Sequence, residues 1–94
     1  MSSEQLIVRR PFDGSQYGVL DAAEPADVVA AAARGRAAQQ AWAATPVRER
    51  AQVFTRLAER ILAHRERVLD TIQDETGKSR LSAFEEVLDA ARAV

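Results

Sequence analysis

The pattern of apolar and polar positions divides the chain at about residue 22. Before it, Leu6 to Arg10 (LIVRR) and Tyr17 to Ala22 (YGVLDA) are short runs rich in β-branched, aromatic and aliphatic residues, the composition of strands. Between them stands Pro11-Phe12-Asp13-Gly14-Ser15, in which Asp-Gly supplies the positive φ of a tight reversal. The pattern predicts a β-hairpin over about residues 6–22. A two-stranded hairpin is marginal in water by itself, so it must lean on the helices or on protein outside this chain.

After Ala22 the apolar spacing lengthens to that of helices. Pro25 suits a first helical position, where its missing N–H would have had no partner, and Asp27 places a carboxylate at the positive dipole end. This helix runs to about Ala43, with Val28, Ala32, Gly35, Gln39 and Trp42 in one stripe. The small residues imply close approach of a neighbouring backbone, which would offset the roughly 1 kcal/mol that Gly35 costs against alanine. Thr45 and Pro46 predict the next start, as N-cap and first helical residue. Its stripe is Val47, Ala51, Phe54, Ala58 and Ile61, widened by Leu57 and Leu62.

His64-Arg65 predicts a bend, after which Val68, Leu69, Ile72 and Thr76 face inward. Gly77 is placed to end that helix in the left-handed conformation. A last helix is expected from about Ser79 with Leu81, Phe84, Leu88 and Ala91 as its stripe. Ser82 with Glu85 also fits a capping box and would move the start to Ser82. The pattern reaches Val94 with no glycine, proline or polar terminator, as expected of a truncated helix.

Composition narrows the function classes. Ninety-four residues form at most one small domain, and so short a chain buries a reduced share of its surface. Basic and acidic residues nearly cancel to a formal net charge of −1, which argues against nucleic-acid and membrane partners. There is no cysteine, hence no disulfide, thiolate metal site or cysteine nucleophile within these residues. No apolar run matches a signal peptide or a membrane span, and a cytoplasmic location is the expectation.

Individual side chains read as scaffold rather than chemistry. His64 lies at a helix junction with no serine or carboxylate pattern aimed at it, and general-base catalysis needs that geometry first. Glu85, Glu86 and Asp89 cluster, but the two glutamates diverge by about 100° around the helix, as on a solvated face. Gly77-Lys78 fails the phosphate-loop pattern because Ile72 stands where a glycine is required. Asp13-Gly14-Ser15 reads as a turn rather than an anion nest. Arg48, Arg50, Arg56 and Arg60 are interleaved with Glu49 and Glu59, a mixed face rather than a nucleic-acid surface. Trp42 is expected to anchor the core, although an aromatic at a helix end also marks interfaces. No catalytic, cofactor-binding or metal residue is expected in the chain.

Taken in order, these pieces resemble the start of an aldehyde dehydrogenase. The Pro11-Phe12-Asp13-Gly14 hairpin is followed by an alanine-rich helix with Trp42 near its end, then Thr45-Pro46 and Arg50 with Phe54, Leu57 and Ala58. Glu75-Thr76-Gly77-Lys78 resembles the family's helix stop, and Glu86-Val87 with Ala90-Ala91 resembles its next helix. The similarity runs from about Val8 to Val94. Gln39, Ser79 and Glu24 depart from the residues common there, which bears on local stability.

The resemblance implies a mainly α chain with a short N-terminal β-hairpin, the leading part of an α/β cofactor-binding domain. Residues 1–94 would be a partial domain: a hairpin over about 6–22 and four helices over about 25–94. The full-length relative would oxidise an aldehyde to an acid with NAD or NADP, through a cysteine nucleophile, a glutamate that helps water, and an oxyanion site. None of those residues maps onto this sequence. The segment would be inactive alone, bind no cofactor alone, and have the rest of the dehydrogenase chain as partner; the full-length relative would be a homo-oligomer. In the family the last helix runs near the substrate entrance, which would place Glu85 or Asp89 towards it. The competing expectation is a freestanding helical protein-interaction module.

Overall fold

The computed structural model describes residues 4–93. Two strands, β1 (Gln5–Arg9) and β2 (Gln16–Asp21), pair antiparallel. Four helices follow: α1 (Pro25–Ala44), α2 (Val47–Ala63), α3 (Arg65–Thr76) and α4 (Arg80–Ala93). The expected order is borne out; Val94, to which the last helix was expected to run, lies outside the described residues.

The hairpin turns where Asp-Gly requires it. Gly14 adopts φ 73°, its N–H donates to the Arg10 carbonyl at 2.8 Å, and Asp13 Oδ1 accepts the Ser15 N–H at 2.9 Å. The register runs from Gln5 opposite Asp21 to Val8 opposite Gly18, with an irregularity between Val8 and Arg9. The turn end leans on α3: Arg10 Nε donates to Asp74 Oδ1 at 2.9 Å and the Tyr17 hydroxyl lies 3.4 Å from Thr71 Oγ1. Leu6, Ile7, Val19 and Leu20 stay exposed, so the hairpin leans on the helices at one end only.

Helix starts and stops follow local chemistry, with one correction. At α1, Asp27 accepts the Glu24 N–H at 2.9 Å, half of a capping box. Thr45 was expected to cap α2, but its hydroxyl donates back to the Ala41 carbonyl at 2.9 Å and closes α1 instead. The cap position of α2 falls to Pro46, and Pro46 also holds Thr45 in extended backbone (φ −68°, ψ 131°). His64 (φ −105°, ψ 19°) is the break between α2 and α3. Gly77, at φ 73° and ψ 9°, ends α3 as expected. Ser79 Oγ accepts the Ser82 N–H at 3.2 Å, which selects the earlier of the two starts considered for α4.

The core lies where α3 and α4 meet. Leu69, Ala83 and Val87 are 3 %, 0 % and 2 % exposed, and Ile61, Val68 and Ile72 pack against them. The stripe expected for α4 was therefore rotated: Leu81, Phe84 and Leu88 remain open, while Ala83 and Val87 turn inward. Arg80 shares their face, three and seven residues before them, and reaches Asp70 (2.6 Å) and Glu66 (2.5 Å) on α3. The alanine allows the close approach that a larger residue would block. Thr76 also departs from expectation, exposed with its hydroxyl on the Ile72 carbonyl.

The α1 helix has no buried residue. A Cβ added at Gly35 would meet nothing within 4 Å, and Trp42 is 40 % exposed rather than anchoring the core. The whole is thin and spread, with principal extents of 48 × 41 × 15 Å. Its radius of gyration is 17.5 Å, against about 12 Å for a compact domain of this length. Its accessible surface of 7603 Å² exceeds by about 2,200 Å² the roughly 5,400 Å² of a folded monomer of this mass.

With so small a core, each member counts. Leu69→Ala should lower unfolding free energy by about 3 kcal/mol, read by urea denaturation followed by circular dichroism. Phe12→Ala, at a turn residue 92 % exposed, should change it by less than about 0.5 kcal/mol.

Candidate functional site

The densest set of charged side chains lies where the hairpin turn meets the end of α3. A notch there is lined by Arg10, Asp70, Gln73, Asp74, Gly77 and Lys78. Its charges are mutually satisfied: Arg10 pairs with Asp74 at 2.9 Å, Asp70 with Arg80, and Lys78 with Glu86. Arg80 also binds Glu66 and Gln73 Oε1, at 3.0 Å. The hydrogen bond to Asp70 is the leading cause that holds the Arg80 guanidinium above its ordinary pKa. Arg10 further lies 5.0 Å from the centre of the Tyr17 ring, within cation–π range. These carboxylates accept from arginine and lysine and leave no free acid–base pair at the notch.

The residues singled out from the sequence do not converge. His64 bridges two helices by its backbone, donating to the Arg60 carbonyl at 3.0 Å and accepting from Val68 N–H at 3.1 Å. It lines a groove with Arg67, Val68, Thr71 and Ile72, and the Thr71 hydroxyl there donates to the Arg67 carbonyl at 3.0 Å. Glu86 is held by Lys78, whereas Glu85 and Asp89 are exposed and outside the ion pairs among the described residues. Among the described residues no group of acidic or histidine side chains is arranged to hold a metal ion. Of the α2 arginines, Arg50 is half-buried and its Nε lacks a hydrogen-bond partner.

Among the described residues no helix N-terminus is directly preceded by a glycine at positive φ of the kind a dinucleotide-binding turn uses. The glycines at positive φ, Gly14 and Gly77, sit in a hairpin turn and at a helix C-terminus. A pyrophosphate needs the opposite end of a helix, where N–H groups and the positive dipole pole point outward. Sequence reading missed the long-range pairs Arg10–Asp74 and Arg80–Glu66. Glu66 and Asp70 do stand four residues apart on one helical face, but their partner emerges only once α4 folds back after Gly77.

The scaffold without chemistry acquires a meaning from comparison with known proteins. The model of the aldehyde dehydrogenase family matches residues 1–94. The chain belongs to the aldehyde dehydrogenase family. A Mycolicibacterium smegmatis relative named "Putative succinate-semialdehyde dehydrogenase", with NADP(+) in its name, is 38 % identical over 82 residues, 87 % of this chain and 16 % of the relative. A similarly named Mycobacterium tuberculosis protein is 42 % identical over 78 residues, 83 % of this chain and 15 % of the relative. The N-succinylglutamate 5-semialdehyde dehydrogenase 1 of Caulobacter vibrioides is 35 % identical over 94 residues, all of this chain and 20 % of the relative. This aldehyde dehydrogenase segment thus spans between about a sixth and a fifth of those relatives' length. No solved structure matches it. No helix among the described residues is long and apolar enough to cross a membrane.

One carboxylate of the segment has a distinct titration. Hydrogen bonds from Ser15, side chain first and backbone N–H second, hold Asp13 below the usual carboxylate range. A lowered folded-state pKa gives stabilisation that is present above the ordinary value and lost as pH falls through the folded one. An NMR titration should place the Asp13 midpoint below that of an unfolded peptide, and Ser15→Ala should move it back towards the ordinary value.

Proposed function

We propose that this chain is the outer-helix part of the cofactor-binding domain of an NAD(P)-dependent aldehyde dehydrogenase that converts a semialdehyde to its acid. The single observation that carries the reading is the excess of open apolar surface on a member of this family. Phe54, Leu57, Leu81, Phe84 and Leu88 are exposed, and layers of helices gain stability only when such faces are covered by another layer. The remainder of a dehydrogenase chain is the natural cover. The partnerless Arg50 Nε fits the same reading, because a buried donor without an acceptor is costly. Semialdehyde as the substrate class follows the names of the relatives, whose sequences this segment parallels.

The segment's part in catalysis is mechanical. With no cysteine in the sequence, it supplies no thiol nucleophile, and the bond-making residues lie elsewhere in the enzyme. They hold the helical layer that supports a nucleotide-binding fold. The isolated chain should give no NADPH from succinate semialdehyde and NADP(+). A chimera in which it replaces the matching segment of the Mycolicibacterium smegmatis relative should keep kcat/KM for that aldehyde within about tenfold of the parent. Turnover by the isolated chain, or a folded chimera without activity, would overturn the proposal; the latter would favour the freestanding interaction module.

A further inference from the structure

The hairpin turn contains a backbone step prone to spontaneous rearrangement. Asp13-Gly14 is the single Asp-Gly step in the sequence, which has no asparagine. An aspartate followed by glycine closes most readily to a succinimide, because glycine has no Cβ to hinder approach of its nitrogen. In that step the Gly14 nitrogen attacks Asp13 Cγ and a C–N bond forms. One carboxyl oxygen leaves as water, carrying its own proton and that of the Gly14 amide. Water then opens the ring at either carbonyl. Opening at Cγ restores aspartate, whereas opening at the main-chain carbonyl gives isoaspartate, with the chain rerouted through Cβ and Cγ.

The folded turn leaves this step open to solvent but engages both reacting groups. Asp13 and Gly14 are exposed, and a Cβ added at Gly14 would meet nothing within 4 Å. The Gly14 N–H, however, donates to the Arg10 carbonyl at 2.8 Å, and Asp13 Oδ1 accepts the Ser15 N–H at 2.9 Å. Ring closure must break the first bond and turn the carboxyl away from the second. Ser15 is itself tied to the turn: its carbonyl accepts the Arg10 N–H at 2.8 Å, and its hydroxyl accepts from Arg10 Nη1 at 3.2 Å. Hydrogen bonds from Ser15 also hold the Asp13 carboxyl below its ordinary pKa, and the ionised form gives up its oxygen least readily. We propose that Asp13 is a latent isoaspartate site, guarded by the hydrogen bonds of its own turn and modified when that turn opens. The rerouted chain adds a backbone atom to the ring that the Gly14-to-Arg10 bond closes. Each event therefore weakens the turn, and with it the anchor from Arg10 to Asp74.

Ageing the 94-residue chain at neutral pH, with and without urea, tests the guard. Isoaspartate is counted by enzymatic methylation with an isoaspartyl methyltransferase and located by electron-transfer mass spectrometry, while circular dichroism follows the fold. It should accumulate at least about tenfold more slowly in buffer than in urea, since modification tracks the open fraction of the turn. Ser15→Ala, with helicity unchanged, should form it about two- to tenfold faster in buffer, the worth of one hydrogen bond, and no faster in urea. The modification should map to Asp13 in every sample. Equal rates in buffer and urea would overturn the proposal. So would isoaspartate mapping mainly elsewhere, a Ser15→Ala rate unchanged in buffer, or an equal gain in urea. None of these readouts involves an aldehyde or NADP(+), so they stand apart from the enzyme reading.

Discussion

The fork that Arg80 makes between Glu66 and Asp70 governs the arrangement of this chain. As surface ion pairs these contacts add little stability, but they lie on the side of α4 that turns towards α3. Ala83 and Val87 lie on the same side as Arg80 and become core, together with Leu69. Leu81, Phe84 and Leu88 are consequently turned out. The ion pairs and the small core thus share one side of α4, and the opposite side is left open.

Lack of a covering layer explains the rest of the shape. Helices bury one stripe each, and a single sheet-like layer of helices 15 Å thick offers each stripe too few neighbours. The hairpin is held at its turn by Arg10 and Tyr17 while its strands stay exposed. Helix α1 is held by its caps and its alanine content, since it has no buried residue. Family membership and the open faces both favour the proposal that the segment supports chemistry performed by other residues.

Local signals were the legible part of the sequence. The Asp13-Gly14 turn, Pro25 with Asp27, the break at His64 and the left-handed Gly77 each act within a few residues, and the structure has all of them. Thr45 shows how even a local signal can divide: the same hydroxyl can cap the helix ahead or close the one behind. Pre-proline sterics and the Ala41 carbonyl, which also accepts the Thr45 N–H at 3.1 Å, settled it for α1. No cysteine and no phosphate-loop pattern occurs in the sequence.

By itself, then, the sequence determined the elements, their order and most of their ends, since propensity, caps and turn residues act over one or two helical turns. Tertiary structure alone decided which stripes became core. In α4 two apolar faces compete, and composition favours the one with leucine and phenylalanine. The packed structure turns the face with Ala83 and Val87 inward, where Ala83 lets α4 approach Leu69 closely, and leaves the larger face open. For α1 the stripe containing Gly35 and Trp42 found no neighbour among the described residues. Periodicity can show that a helix has a face to bury, but the surface that covers it is a property of the assembled molecule.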